Sequence, residues 1–255
     1  MGFLARLTGV AALLAACSAS AAPAPVPAPP SFDGIWWATW YSPSMRSYMI
    51  GAGDIPLNDA GKKKYAENQA GLKNGTLPDR ARQYCTPDGL PRTLATPYPF
   101  QIISGPPGQM SWVYEQNSMI RGISMVKPLD SDDKLAILPF WNGHSAARWE
   151  GEILVITSGG FNENTFIDAT GLPHSDQLKT IERVRKLDAG KRLEDVVTIH
   201  DPFYYERDWV ARFVYENHDE LRLTDYVCGE KHRDISKIFG INQARAVNAA
   251  RTPAR

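Results

Sequence analysis

The chain has no surplus of either charge, since Lys plus Arg and Asp plus Glu number 28 each among its 255 residues. Without a net field it has no long-range means of holding nucleic acid or an anionic membrane face, so both partner classes are set aside. Long apolar runs are missing beyond the N-terminus, where residues 7–16 form one too short to span a bilayer stably. Cysteine is scarce, with three in all: Cys17, Cys85 and Cys228. A Gly-x-Ser-x-Gly sequence is absent, so Gly143-His144-Ser145 is no nucleophile elbow. The spacing of His144, His174, Asp168 and Asp176 matches no short metal-ligand motif, and no metal is expected.

What the N-terminus does contain is the layout of a secretory signal: Arg6, the apolar run, then small residues. Leu14-Ala15-Ala16-Cys17 resembles the lipobox of bacterial lipoproteins, which implies cleavage after residue 16 and acylation of Cys17; Ala19-Ser20-Ala21 offers an ordinary signal-peptidase site instead. Residues 17–31 are rich in Ala and Pro, which alternate over residues 22–30, and proline locks φ and removes donors, so they read as an extended tether. The expected location is the periplasm, with a lipid anchor to a membrane. Such a compartment permits a disulfide between Cys85 and Cys228; the other reading is two buried thiols.

Residues 32–228 read as one β domain. Residues 59–70 form the best helix, mostly polar, with Asn58 or Asp59 as its cap. Pro and Gly crowd residues 84–107, which predicts an irregular loop. Runs rich in β-branched and aromatic residues predict strands at 111–117, 119–126, 145–149, 153–158, 178–187, 192–200, 209–217 and 221–228, besides one near Gly34. No helix long enough for a parallel crossover separates them, so the sheet is expected to be a largely antiparallel meander. Closure into a barrel removes the sheet edges and is favoured over a β-sandwich. Gly34-Ile35-Trp36 resembles the Gly-x-Trp of the lipocalin first strand, which implies a tryptophan plugging one barrel end and an arginine late in the last strand, with Arg222 as the match. Residues 229–255 carry six Lys or Arg against two acids, and Asp234 offers a cap for a short helix.

The richest block spans residues 141–176: Trp141-Asn142-Gly143-His144-Ser145, Arg148-Trp149-Glu150-Gly151-Glu152, Gly160-Phe161-Asn162 and Gly171-Leu172-Pro173-His174-Ser175-Asp176. With Cys85-Thr86-Pro87-Asp88-Gly89-Leu90-Pro91-Arg92 and Tyr226-Val227-Cys228, it resembles a set of exported, β-rich bacterial proteins of uncharacterised function. The resemblance implies a location and an architecture and carries no activity.

The side chains themselves suggest chemistry. His144 and His174 each precede a serine near a strand start and are candidate acid and base, with Asp176 or Glu182 orienting a ring. Alternation along residues 178–187 puts Glu182 on the apolar face, where a carboxylate needs a partner: Arg148, Arg121 or a ligand. Trp141, Phe161, Arg148 and Tyr226 are the candidate substrate contacts. The expected function is an acid–base enzyme without organic cofactor, an isomerase, lyase or hydrolase acting on a small hydrophobic or aromatic molecule. The alternative is a non-catalytic envelope lipoprotein that binds a lipophilic molecule.

Overall fold

The computed structural model of the protein describes residues 30–129, 139–226 and 228. Cys17, the signal and most of the tether, and the basic tail lie outside these residues. Nine strands close into a lipocalin-like barrel: β1 (Gly34–Ala38), β2 (Phe100–Ser104), β3 (Gln109–Tyr114), β4 (Met119–Ser124), β5 (His144–Glu150), β6 (Ile153–Gly159), β7 (Lys179–Leu187), β8 (Arg192–His200) and β9 (Trp209–Asn217). Every neighbouring pair is antiparallel except β4 and β5, which run parallel and meet at only two positions, Ile123 opposite Ser145 and Ser124 opposite Ala146.

The two ends of the barrel differ. At one end the tight connections 105–108, 151–152 and 188–191 leave little chain outside the wall. Trp36 closes the interior near this end: it is fully buried, its indole N–H donates to the Phe32 carbonyl at 2.9 Å, and the Lys186 ammonium lies 5.8 Å from its ring. The cation over Trp36 is thus Lys186 from β7, and Arg222, expected late in the last strand, is exposed beyond the end of β9, which stops at Asn217.

At the other end the long connections 39–99, 160–178 and 201–208 build a cap over the barrel. It contains α1 (Asp59–Asn74) and the four-residue α2 (Arg80–Gln83). Asn58 caps α1, its side chain accepting from the Gly61 N–H at 2.9 Å, and Gly75 ends it in the left-handed conformation. Gly61 has no room for a side chain, because a Cβ there would sit 2.2 Å from the Tyr204 carbonyl oxygen.

Two expected elements differ. Residues 84–107 are not all irregular: β2 lies within them, a five-residue strand hidden by Pro97 and Pro99 before it and Pro106 and Pro107 after it. The described residues of the expected strand 221–228 are not a strand. β1 already pairs with β2 on one edge and β9 on the other, so the closed barrel has no edge left for a tenth strand. Instead residues 218–226 form a strap along the outer wall, tied by His218 N–H to the Ile35 carbonyl at 2.8 Å and by Thr224 N–H to Glu115 at 2.9 Å. The strap ends in the Cys85–Cys228 disulfide, with Cα atoms 5.6 Å apart.

Candidate functional site

Alternation sorts the strand residues of the predicted site into inside and outside. Ser145 faces the barrel interior, where its hydroxyl accepts from Arg121 Nε at 3.0 Å, so His144 and Arg148, offset by odd steps, face outward. Arg148 is well exposed and pairs with Glu150 at 2.6 Å, and Glu150 also takes Arg183 at 3.0 Å. His144 sits edge-on to Phe140, with ring centroids 4.8 Å apart, and shares an outer groove of about 520 Å³ with Trp141. Glu182 lies on the other side of the wall. It is fully buried and its carboxylate is clasped by Arg121 Nη1 and Nη2 at 2.7 and 2.6 Å. Of the partners offered for Glu182 by the sequence, the structure selects Arg121, which also donates to Ser158 at 2.9 Å.

His174 is buried in the 160–178 connection. Its Nε2 lies 2.7 Å from the Thr165 hydroxyl and its Nδ1 3.0 Å from the Ser175 carbonyl. Burial drives its pKa below the ordinary imidazole value, so the ring is neutral near pH 7. Asp176, two residues on, is exposed. The carboxylate in this turn is Asp201, which accepts from the Ser175 N–H at 2.6 Å and its hydroxyl at 2.8 Å. Phe161 is packed in the core against Gly143, whose missing Cβ would lie 2.8 Å from the ring. His144 on the outer wall, His174 within the cap and Glu182 inside the barrel therefore belong to three separate environments.

A different set of groups converges at the cap end. A cleft of about 350 Å³ opens there between residues 41–43, the 81–98 segment, Gln116 and the end of the strap. Tyr226 is the one sequence-predicted substrate contact that lines it, and its ring meets Tyr98 edge-on with centroids 5.0 Å apart. The polar wall is built by Asp88 and Arg92, both buried. Arg92 binds Asp79 in bidentate fashion, Nη1 to Oδ1 at 3.0 Å and Nη2 to Oδ2 at 2.8 Å, and turns its Nε to Asp88 at 3.2 Å. Asp88 also accepts from the Gln116 amide, and the Gln116 carbonyl oxygen is left buried with no hydrogen-bond donor.

Burial lifts the Asp88 carboxyl to about 6, even though the neighbouring Arg92 pulls the other way. A carboxyl that changes charge near neutral pH, at the wall of an open cleft, can give or take a proton. Asp168 lines the same cleft, but its oxygens serve the backbone N–H groups of Met45, Thr170 and Leu172 at 2.9 to 3.2 Å, so it fixes the cap. Gly89 brings the Asp88 loop close to the 160–178 connection: it has φ of +76°, and a Cβ would meet Thr165 and the Trp141 carbonyl at 2.8 to 2.9 Å. Sequence reasoning missed Asp79, Asp88 and Arg92, although an acid and a base four residues apart in a Pro/Gly-rich loop were visible. Among the described residues no cluster of three or more His, Cys, Asp or Glu could hold a metal ion.

Compared with protein-family models, with curated proteins and with solved structures, the chain finds no match.

Proposed function

We propose that the protein binds a small molecule with a flat apolar body and a hydrogen-bond-donating head in the cap-end cleft, and that Asp88 exchanges a proton with it. This is acid–base chemistry that uses no organic cofactor. The observation that carries the reading is the buried Asp88 carboxyl, raised to about 6, on the wall of a 350 Å³ cleft that also presents Tyr98 and Tyr226. Asp88 and the unsatisfied Gln116 carbonyl oxygen are acceptors, which favours a ligand with an N–H or O–H at that point. The tyrosines supply apolar faces for an aromatic or aliphatic body.

Export and acylation at Cys17 belong to the same proposal, as does the likeness of residues 141–176 to exported bacterial proteins. The Cys85–Cys228 bridge suits an oxidising compartment. Pro30 borders Glu150, Glu152 and Lys186 at the hairpin end, so a tether arriving there would leave the cleft at the opposite end, facing away from the anchor.

A thermal-shift screen of aromatic amines, phenols and alcohols tests the reading. Hits should bind with an affinity that changes through pH 6, and Asp88→Asn should remove that pH dependence. Turnover lost with binding kept would mark Asp88 as the proton-transfer group, whereas binding without any turnover in wild type would leave a carrier. Hits whose affinity ignores both pH and the Asp88 substitution would sink the proposal.

A further inference from the structure

A second carboxyl pair lies inside the barrel, away from the cleft. Along the β7–β8 ladder Glu182 is opposite Val197 and Val184 is opposite Asp195, so the two acids are diagonal neighbours on the inward face. Both are fully buried. Glu182 gives both oxygens to Arg121, while neither oxygen of Asp195 receives a hydrogen bond from any described donor.

The groups facing Asp195 are Arg121 from β4, Glu182 from β7, and the phenols of Tyr114 from β3 and Tyr215 from β9. Glu194 adds a charge from the outer face of β8, where Arg185 and Arg212 hold it, and Lys186 lies at the exposed hairpin end over Trp36. One guanidinium thus faces two carboxyls in a closed interior. An ionised Asp195 would be an uncompensated buried charge, the most expensive kind of group to enclose. Two carboxyl groups can hydrogen-bond to each other only if one of them carries a proton.

We propose that Asp195 and Glu182 form a proton-binding site inside the barrel, in which Asp195 holds the proton and donates it to a Glu182 oxygen. Solvent supplies the proton as the chain folds: one O–H bond of the solvent breaks and one forms on Asp195. Burial, reinforced by the Glu182 charge, holds the Asp195 acid well above the ordinary carboxylate range. Unfolded Asp195 releases its proton above about pH 4 and the folded barrel keeps it. The contribution to stability is therefore full in acid and falls as pH rises, until the folded acid itself ionises.

Infrared spectra of wild type and Asp195→Asn at pH 8, where Asp88 is ionised, test this directly. The wild type should show the carbonyl stretch of a protonated carboxyl, and the variant should lack it. Urea unfolding across pH 5 to 8 should then show the wild-type folding constant falling about tenfold per pH unit relative to the variant. Should the variant fail to fold, the wild-type band itself decides, since it must vanish as urea unfolds the protein. No band in the wild type, a band that survives in Asp195→Asn, parallel pH profiles, or stabilisation by sodium or potassium ions in place of the proton would each overturn the site.

Discussion

The Arg92 Nε lies 3.2 Å from Asp88, yet Asp88 remains hard to ionise, because the same guanidinium is already bound face-on by Asp79. One cation divided between two carboxylates leaves each with less than a full partner, and burial then dominates the Asp88 carboxyl. The folded value of about 6 exceeds the unfolded one. Folded Asp88 therefore retains a proton that unfolded Asp88 loses, and stability from this group is present in acid and lost as pH rises from about 4 through 6. The loss amounts to about 3 kcal/mol. Asp88→Asn should remove most of that, about 2.5 kcal/mol, from the difference between urea unfolding free energies at pH 4 and pH 7.5; an unchanged difference would mean that Asp88 is ionised throughout.

Much of the barrel was legible because its strands are amphipathic. Residues 192–200 and 209–217 were bounded correctly, and the alternation that put Glu182 inside rested on Leu178 and Val184 flanking it on the same face. The same alternation, anchored on Ser145 and Trp149, would have put His144 and Arg148 outside. What the sequence obscured was non-local. The five residues of β2 are framed by prolines that speak for a loop, and only the partner strands β1 and β3 make them a strand. Residues 221–228 have strand composition, but barrel closure leaves them no edge. The cleft is assembled from residues 41 to 228, and no short window contains both Asp88 and Tyr226.

The disulfide closes a separation of 143 residues and clamps the strap that carries Tyr226. On a chain-entropy basis such a link is worth about 5 kcal/mol, the top of the usual range. The double variant Cys85→Ser/Cys228→Ser should lose about 3 to 5 kcal/mol in chemical denaturation. Limited proteolysis should cut it first within 218–226, where the ties described are isolated hydrogen bonds and the ring contacts of His218 and Tyr226 rather than a strand ladder. Equal melting temperatures with and without dithiothreitol would contradict this account.

His174 makes a different pH prediction. Its folded pKa is depressed by burial, so the unfolded ring accepts a proton near pH 6.5 that the folded ring refuses. Its contribution is complete above pH 6.5 and is lost as pH falls through that value. His174→Ala should cost about 2 to 4 kcal/mol by stranding the buried Thr165 hydroxyl and leaving a cavity. Nuclear magnetic resonance titration of the imidazole provides the check: a ring that titrates at or above 6.5 would place His174 in a charged, solvent-linked role.

Arg121 and Glu182 make a coupled test of the interior. Arg121→Met leaves the buried Glu182 carboxylate without its cation and should cost about 3 to 5 kcal/mol, whereas Glu182→Leu leaves Arg121 facing Asp195, whose ionisation offsets part of the loss, and should cost less. Replacing both removes the charge along with its partner and fills the space with apolar groups, although Ser145 and Ser158 then retain only their mutual 2.8 Å hydrogen bond. The double variant should therefore be more stable than either single one, giving a coupling energy of about 2 kcal/mol or more in a double-mutant cycle. Additive losses would mean that the ion pair does not act as a unit. Asp195 sets the limit of the recovery, because without Glu182 its proton has lost the acceptor it faces. Adding Asp195→Asn to the double variant should then change stability less than it does in wild type.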